Sequence, residues 1–364
     1  MNRQSYPSLK KVLTETPTDT AERQQLLANP AFGKVFTDHM VTVRHTKADG
    51  WVDAKVEARK NFTFSPGTTV LHYGLEIFEG LKAYRQADGG VALFRPDANA
   101  KRFANSAKRL ALPPLPEELF VESVIALTET DRDWIPEQDF SALYLRPFMI
   151  ATDATLGLKP ADDALYSVIA SPVGSYFKGG AAAVSLWVSD HFTRAAPGGT
   201  GDAKCGGNYA AAMVAQLEAD RQGCDQVVFL DAVERKWVEE LGGMNVFFVF
   251  DDGSIQTPPL TGTILPGITR DSIIRLALDM GITVREERYS IDQWQQDAKS
   301  GRLVEAFACG TAAVVTSIGK VKGNRHEFTV GNGEGGEMTA KLKGALLDIQ
   351  YGRVADPHGW MIKL

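Results

Sequence analysis

Short apolar runs of strand length recur along the chain, separated by turn-forming residues. WVDAKVEA (51–58) follows the turn Ala48-Asp-Gly50, and VALFR (91–95) follows Asp88-Gly-Gly90; both read as strands. LYSVIAS (165–171), AAVSLWVS (182–189), QVVFLD (226–231), the segment around Val238, NVFFVF (245–250) and LVEAFACGTAAVVTSI (303–318) have the same character, with DDGS (251–254) as a hairpin turn. Between them the period changes to that of helices. Asp97 is placed to cap a helix reaching Leu110, with Phe103, Ala107, Leu110 and Ala111 on one face and PPLP (113–116) as its stop. Asn208 is placed to cap YAAAMVAQLEADRQ (209–222), ended by Gly223. Thr269 opens RDSIIRLALDM (270–280), closed by Gly281, and Ser290 to Gln293 fits a capping box. EMTAKLKGALLDIQ (337–350) is a further helical stretch. Strands and helices mix throughout, and the many hairpin signals argue against a doubly wound parallel sheet. The expectation is α+β in each half.

Pro172, Gly174, Gly179 and Gly180 break the pattern in mid-chain. A length of 364 residues suits roughly two domains. This predicts a domain over 1–174, an interdomain loop over 175–184 and a second domain over 185–364. The loop carries two aromatics, Tyr176 and Phe177, that a plain linker does not need.

Charge narrows the classes. The net charge is −6 and no Lys/Arg run marks a nucleic-acid surface. Cys205, Cys224 and Cys309 are too few and too far apart for a disulfide framework, and no Cys/His group has metal-ligand spacing. The first twenty residues have no apolar h-region, and no stretch approaches a membrane span. The expectations are a cytoplasmic protein with no metal, no membrane contact and no nucleic-acid partner.

Two glycine motifs fail on inspection. Gly331-Asn-Gly-Glu-Gly-Gly336 matches G-x-G-x-x-G, but fewer than thirty residues follow it, too few to complete a dinucleotide-binding βαβ unit. Gly198 to Lys204 resembles a phosphate loop, yet Ala203 stands where glycine must precede the lysine, and Cys205 replaces the magnesium-binding hydroxyl. No G-x-S-x-G elbow occurs.

Other positions keep two readings. Lys204 lies among Gly201, Ala203, Cys205, Gly206 and Gly207. Small neighbours leave room for a bulky group, and a poorly solvated lysine becomes a usable nucleophile; a solvated lysine in a glycine loop is the commoner case. Tyr209 could reach what the lysine holds, or only pack. Glu239 and Glu240 precede an apolar strand, where a carboxylate is costly unless paired; for Glu239 a water-facing strand end is the simpler reading. The run Thr257 to Arg270 leads into a helix whose N-terminus, with Gly267 allowing close approach, forms an anion cup. An ordinary cap by Thr269 is compatible with that. Arg95 and Arg102 lie at a helix start, where an anion would relieve their conflict with the macrodipole.

These segments together resemble the class IV, fold-type IV pyridoxal-phosphate aminotransferases, and within them the branched-chain amino acid aminotransferases. The resemblance spans nearly the whole chain. It runs through FGKVFTDHM (32–40), VLHYGLEIFEGLKAYR (70–85), LFRPDANAKRFANSAKRL (93–110), LYLRPFMIATDATLG (143–157), SPVGSYFKGG (171–180) and GGTGDAKCGGNYAAA (198–212). It continues through DQVVFLDAVERKWVEELGGMNVFFVF, TPPLTGTILPGITRDSI and VEAFACGTAAVV. The spaced run from Glu240 through Asn245, Thr257 and Gly267 to Arg270 matches the class IV signature.

The resemblance implies a two-domain D-amino-acid-aminotransferase-like fold, with a small N-terminal and a larger C-terminal, cofactor-binding domain. It implies pyridoxal 5'-phosphate as cofactor and transfer of the amino group of leucine, isoleucine or valine to 2-oxoglutarate. Lys204 matches the lysine that binds the cofactor covalently, Tyr209 the tyrosine on its phenolic oxygen and Glu240 the glutamate at its ring nitrogen. Arg102, Ile268, Thr269 and Thr311 match the phosphate site. Thr311 and Ala312 match the turn that receives the substrate α-carboxylate. Phe32, Tyr73, Phe78, Tyr144, Arg146 and Tyr176 match the side-chain pocket. Tyr73 reaches the partner's site in that family, which implies a homodimer. Gly243 stands where many relatives have threonine, and the redox CxxC of the animal enzymes is absent. The nearest alternatives are a D-amino-acid aminotransferase and an aminodeoxychorismate lyase.

Overall fold

The computed structural model describes residues 6–174 and 183–364. These fall into two compact units. One gathers 6–174, Ala203–Gly206 and Ile349–Leu364; the other gathers 183–202 and Gly207–Asp348. Among the described residues each unit holds a nine-stranded sheet.

In the first unit the sheet begins with Lys10–Val12, Gly50–Ala58, His39–Thr46 and Ala164–Val173. It continues through Ala142–Ala151, Leu81–Arg85 and Val91–Phe94 to Met361–Lys363. Glu76–Phe78 also pairs with Ala142–Ala151. All its pairings are antiparallel except Lys10–Val12 on Gly50–Ala58. Helices Pro96–Arg109 and Glu117–Thr130 supply Phe103, Ala107, Leu119, Phe120 and Leu127 to the core of this unit. Pro96 pre-sets the first helical turn. Asp97 lies inside that turn and Arg95, with φ 50°, takes the cap position, so Asp97 favours the helix as a first-turn charge and is not its cap.

The second sheet runs Val238–Leu241, Gln226–Leu230, Val184–Ser189, Val314–Lys322, Leu303–Gly310, Asn245–Phe250, Ile255–Thr257 and Val284–Glu286, and Glu327–Thr329 also pairs with Val314–Lys322. It mixes parallel and antiparallel neighbours. Its core centres on Phe248, which meets Trp294 and Tyr289 at centroid distances of 4.8 and 4.6 Å. Ser290 caps helix Ile291–Ser300 by accepting from the Gln293 N–H at 3.1 Å, as the capping box predicts. Helix Ile268–Asp279 is capped by Gly267 with no side-chain bond, and Thr269 lies within the helix.

Two expectations change. The single helix over 209–222 is two helices, Gly206–Ala210 and Met213–Arg221. The Asn208 side chain is held by Thr200, at 2.7 Å from its hydroxyl and 2.8 Å from its carbonyl, and Ala212 turns tightly onto Tyr209. A continuous split at 174/185 also fails to describe the units, because hydrogen bonds tie later segments back to the first. The Phe78 N–H donates to the Lys204 carbonyl at 3.0 Å, and Met361–Lys363 pairs with Val91–Phe94.

Candidate active site

Strand alternation divides the ladder between residues 76–85 and 142–151 into two faces. Ile77, Leu81 and Ala83, with Leu143, Leu145 and Met149, point into the core of the first unit. Glu79 has the same parity and is fully buried. A lone carboxylate there would be costly. Helix Pro96–Arg109 neutralises it with two residues three apart. Arg102 binds it through Nε at 2.7 Å and Nη2 at 2.8 Å, and Asn99 donates to it at 2.6 Å. Burial alone would push the Glu79 carboxyl up; the Arg102 guanidinium, with Lys204 and Asn99, outweighs this and holds it below the usual range.

Lys204 is anchored on the same framework. Its N–H donates to Ser106 Oγ at 2.9 Å, and its Nζ lies 4.8 Å from the centre of the Phe78 ring. The next residues are held too, since the Gly206 N–H donates to Glu76 Oε1. Removal from water, and then the Arg102 charge, bring the Lys204 pKa down to about 8 against the pull of Glu79. An amine so placed is neutral for part of the time near pH 8 and can act as nucleophile or base.

The opposite face carries Phe78, Tyr144 and Arg146. Arg146 lies over the rings of Phe78 and Tyr144, at 4.8 and 5.4 Å, and donates to the Tyr144 hydroxyl at 3.3 Å. Phe32 meets Tyr144 edge-on at 5.0 Å. Phe32, Tyr144 and Arg146 line a cavity of about 190 Å³ together with Phe36, Ile169 and Ser171. Its walls are mainly apolar, and the buried Arg146 Nε has no hydrogen-bond partner among the described residues.

The second unit collects another group at one end of its sheet. Strand Val238–Leu241 ends at a Gly242–Gly243 reversal closed by Leu241 N–H on Met244 C=O at 3.0 Å. Glu240, buried at 3% exposure, is paired with Arg194. It also accepts from Asn245 Nδ2 at 3.1 Å and the Leu265 N–H at 3.3 Å. Arg194 is fixed in turn by the carbonyls of Gly201 and Thr263. Asn245 reaches the start of helix Ile268–Asp279, where a Cβ on Gly267 would overlap its side-chain oxygen. This explains a glycine with an ordinary φ of −67°. Gly310 lies opposite Val314, so Thr311 and Ala312 form the tip between their strands, and Asn245 lies opposite Cys309 on the adjacent strand. The Tyr209 ring lies 3.5 Å from where a Gly243 Cβ would stand.

Both groups can now be set beside known proteins. Residues 76–321 match the family model for amino-transferase class IV. A branched-chain-amino-acid aminotransferase of Mycolicibacterium smegmatis is 53% identical over 352 residues, 96% of each chain. The chain belongs to the class IV aminotransferases. Two solved structures of the T.th. branched-chain amino acid aminotransferase resemble it, one with pyridoxamine 5'-phosphate and one complexed with N-(5'-phosphopyridoxyl)-L-glutamate. They are 31% and 30% identical to it, and each has a TM-score of 0.73 and covers 88% of this chain and 97% of its own. The mixed α/β two-sheet architecture is that of this family.

Most of the expected site residues of this aminotransferase therefore form two clusters. The first unit brings together Lys204, Arg102, Phe78, Tyr144, Arg146 and Phe32. The second brings together Glu240, Gly243, Tyr209, Ile268, Thr269, Thr311 and Ala312. Tyr73 joins neither; it is 38% exposed and its hydroxyl donates to the Leu156 carbonyl. Tyr176 lies outside the described residues. Glu239 is half-buried and accepts from Thr263 Oγ1, so it is not the water-facing strand end expected.

Glu79, Glu76, Arg194 and Asn99 were not singled out from the sequence. A readable signal existed only for Glu79, a carboxylate inside the strand-like run EIFEGLKAY. The 331–336 glycine motif precedes helix Glu337–Gln350, whose first N–H groups are taken by the protein's own Glu305. That carboxylate accepts from Met338 N–H at 2.9 Å, Thr339 N–H at 2.8 Å and Thr339 Oγ1 at 2.7 Å. No described group of His, Cys, Asp or Glu could hold a metal ion.

Proposed function

We propose that the protein is a branched-chain-amino-acid aminotransferase that uses pyridoxal 5'-phosphate. The observation that carries the reading is Lys204: a desolvated amine, fixed by its backbone and set beside a pocket with aromatic walls and one guanidinium. Each unit by itself offers groups that suit the cofactor: the first an amine with its pKa near 8, the second a buried carboxylate and a helix N-terminus with no side-chain cap.

When bound, pyridoxal phosphate supplies an aldehyde carbon for amines and a ring that accepts electrons from the substrate Cα. Lys204 Nζ would hold that carbon, and as a free amine it would move the proton at the substrate Cα. Glu240, paired with Arg194, would accept from the protonated ring nitrogen. By the family resemblance Tyr209 would bond the phenolic oxygen, and Arg102, Thr311 and the N–H groups of Ile268 and Thr269 would bind the phosphate. Thr311 and Ala312 receive the α-carboxylate, and Phe32, Phe78, Tyr144, Tyr176 and Gly243 border the side chain. Arg146 lets one pocket serve two substrates. Its rings accept leucine, isoleucine or valine, and its fork pairs with the far carboxylate of glutamate or 2-oxoglutarate.

A homodimer completes this reading. Leu71, Tyr73, Leu156 and Leu158 are 62, 38, 68 and 73% exposed, apolar side chains that a second copy would cover. The three cysteines are buried and unpaired, and no helix of the described residues is long and apolar enough to cross a membrane. A cytoplasmic location accords with both.

The deciding experiment follows the visible spectrum of the purified protein with added pyridoxal phosphate. Loss of the cofactor band on adding L-leucine, and its return with 2-oxoglutarate, is the expected result. A band that responds to D-alanine and ignores L-leucine would move the function to the D-amino-acid enzymes. No cofactor band at all would end the proposal.

A further inference from the structure

We propose that Gly80 is a specificity-determining residue, acting through the Tyr144 phenol that it leaves room for. The inference rests on reading the Phe32–Tyr144–Arg146 cavity as the side-chain pocket.

Gly80 lies between strands Glu76–Phe78 and Leu81–Arg85, buried, and is not among the glycines with positive φ. Its backbone conformation is open to other residues, so freedom of φ does not explain a glycine here. Space does. A Cβ at Gly80 would overlap Tyr144 Oη and stand 2.8 Å from Cζ and 3.4 Å from Cε2. The parity of the ladder explains the meeting, since Lys82 lies opposite Tyr144 and Gly80 is its diagonal neighbour on the same face. The surrounding backbone is pinned. The Gly80 N–H donates to Glu79 Oε2 at 3.0 Å, its carbonyl accepts from Asn99 at 3.3 Å, and the Glu79 N–H donates to Pro147 C=O at 2.7 Å. The strand therefore cannot yield easily to an added methyl group, whereas the phenol, at the far end of a side chain, can.

A displaced phenol moves away from this ladder, and two of its contacts belong to the cavity wall: the edge of Phe32 and the guanidinium of Arg146. A methyl group at position 80 thus narrows the cavity and turns the Arg146 fork without touching substrate. Gly80 sets pocket depth indirectly, and the effect falls on binding of the longer side chain more than on proton transfer.

The test compares wild type, Gly80→Ala, Tyr144→Leu and the double variant, loaded with cofactor, on L-leucine and L-valine. Gly80→Ala should raise KM for leucine relative to valine by about fivefold, with kcat for both kept within about twofold. In the Tyr144→Leu background, which lacks the hydroxyl, Cζ and Cε2 that the new Cβ would meet, the same substitution should have a much smaller effect. Equal KM shifts for the two amino acids, or an undiminished effect in the Tyr144→Leu background, would overturn the inference. If Gly80→Ala fails to fold, the double variant decides: a folded double variant supports the overlap at Tyr144, and its failure overturns it. A wild-type protein inactive on both amino acids removes the functional reading and this inference with it. Wild-type activity with an unaltered ratio in Gly80→Ala removes the inference alone.

Discussion

Two cations, Arg102 and Lys204, share the influence of one buried carboxylate, Glu79, and this sets how the lysine titrates. The Arg102 charge and the loss of water lower the Lys204 pKa to about 8 while Glu79 raises it. In cofactor-free protein, an amine-directed reagent should therefore half-label Lys204 near pH 8, and Glu79→Gln should move that midpoint lower. A midpoint near 10.5 would show a solvated lysine. Removing Glu79 also takes away the carboxylate that Arg102 binds through Nε and Nη2, which should cost about 3 kcal/mol in urea unfolding. Loss of the amine itself, in Lys204→Ala, should abolish turnover while leaving the thermal transition close to that of the wild type. Ordinary turnover in that variant would remove Lys204 from the chemistry.

Elements explain what the sequence could and could not tell. The strands over Gly50–Ala58, Ala164–Val173 and Asn245–Phe250 were legible because apolar runs between turn residues specify them locally. The capped helix Ile291–Ser300 was legible for the same reason. The break between Gly206–Ala210 and Met213–Arg221 was not, since it depends on Thr200 holding Asn208 from outside the helix. Nor could the pattern say that Arg102 is bound by Glu79, because that pair joins a strand to a helix. Lys204 and Glu240 were singled out by family resemblance where local physics left a bland alternative, and Arg146 was singled out by the resemblance alone. Helix Glu337–Gln350 offers an element-level test. Glu305→Ala frees the N–H groups of Met338 and Thr339 and should destabilise the protein by about 1 kcal/mol. Wild-type protein should show no NAD binding by titration calorimetry; a measurable affinity would contradict the occupancy of that helix end by Glu305.

Across the whole molecule, acid stability carries a readable term from His326. Burial holds its pKa below the ordinary 6.5, although Asp292, 3.9 Å away, pulls the other way, as does Asp190, while Arg325 and Lys299 reinforce the lowering. The folded state thus favours the neutral ring and the unfolded state takes the proton first. The stabilisation is present above pH 6.5 and is lost as pH falls through the lower folded value. Between pH 7.5 and 5.5, urea midpoints should fall less in His326→Gln than in wild type; parallel curves would show that this ring does not titrate with unfolding.

The pairing of Val91–Phe94 with Met361–Lys363 also bears on how the protein is made. The earlier strand emerges from the ribosome with that side unmatched. At roughly 5–20 residues per second its neighbour follows only after tens of seconds. Through that interval an apolar strand offers open N–H and C=O groups to any other nascent chain. Expression yield should therefore respond to holdase chaperones and to growth temperature even where the finished enzyme is stable.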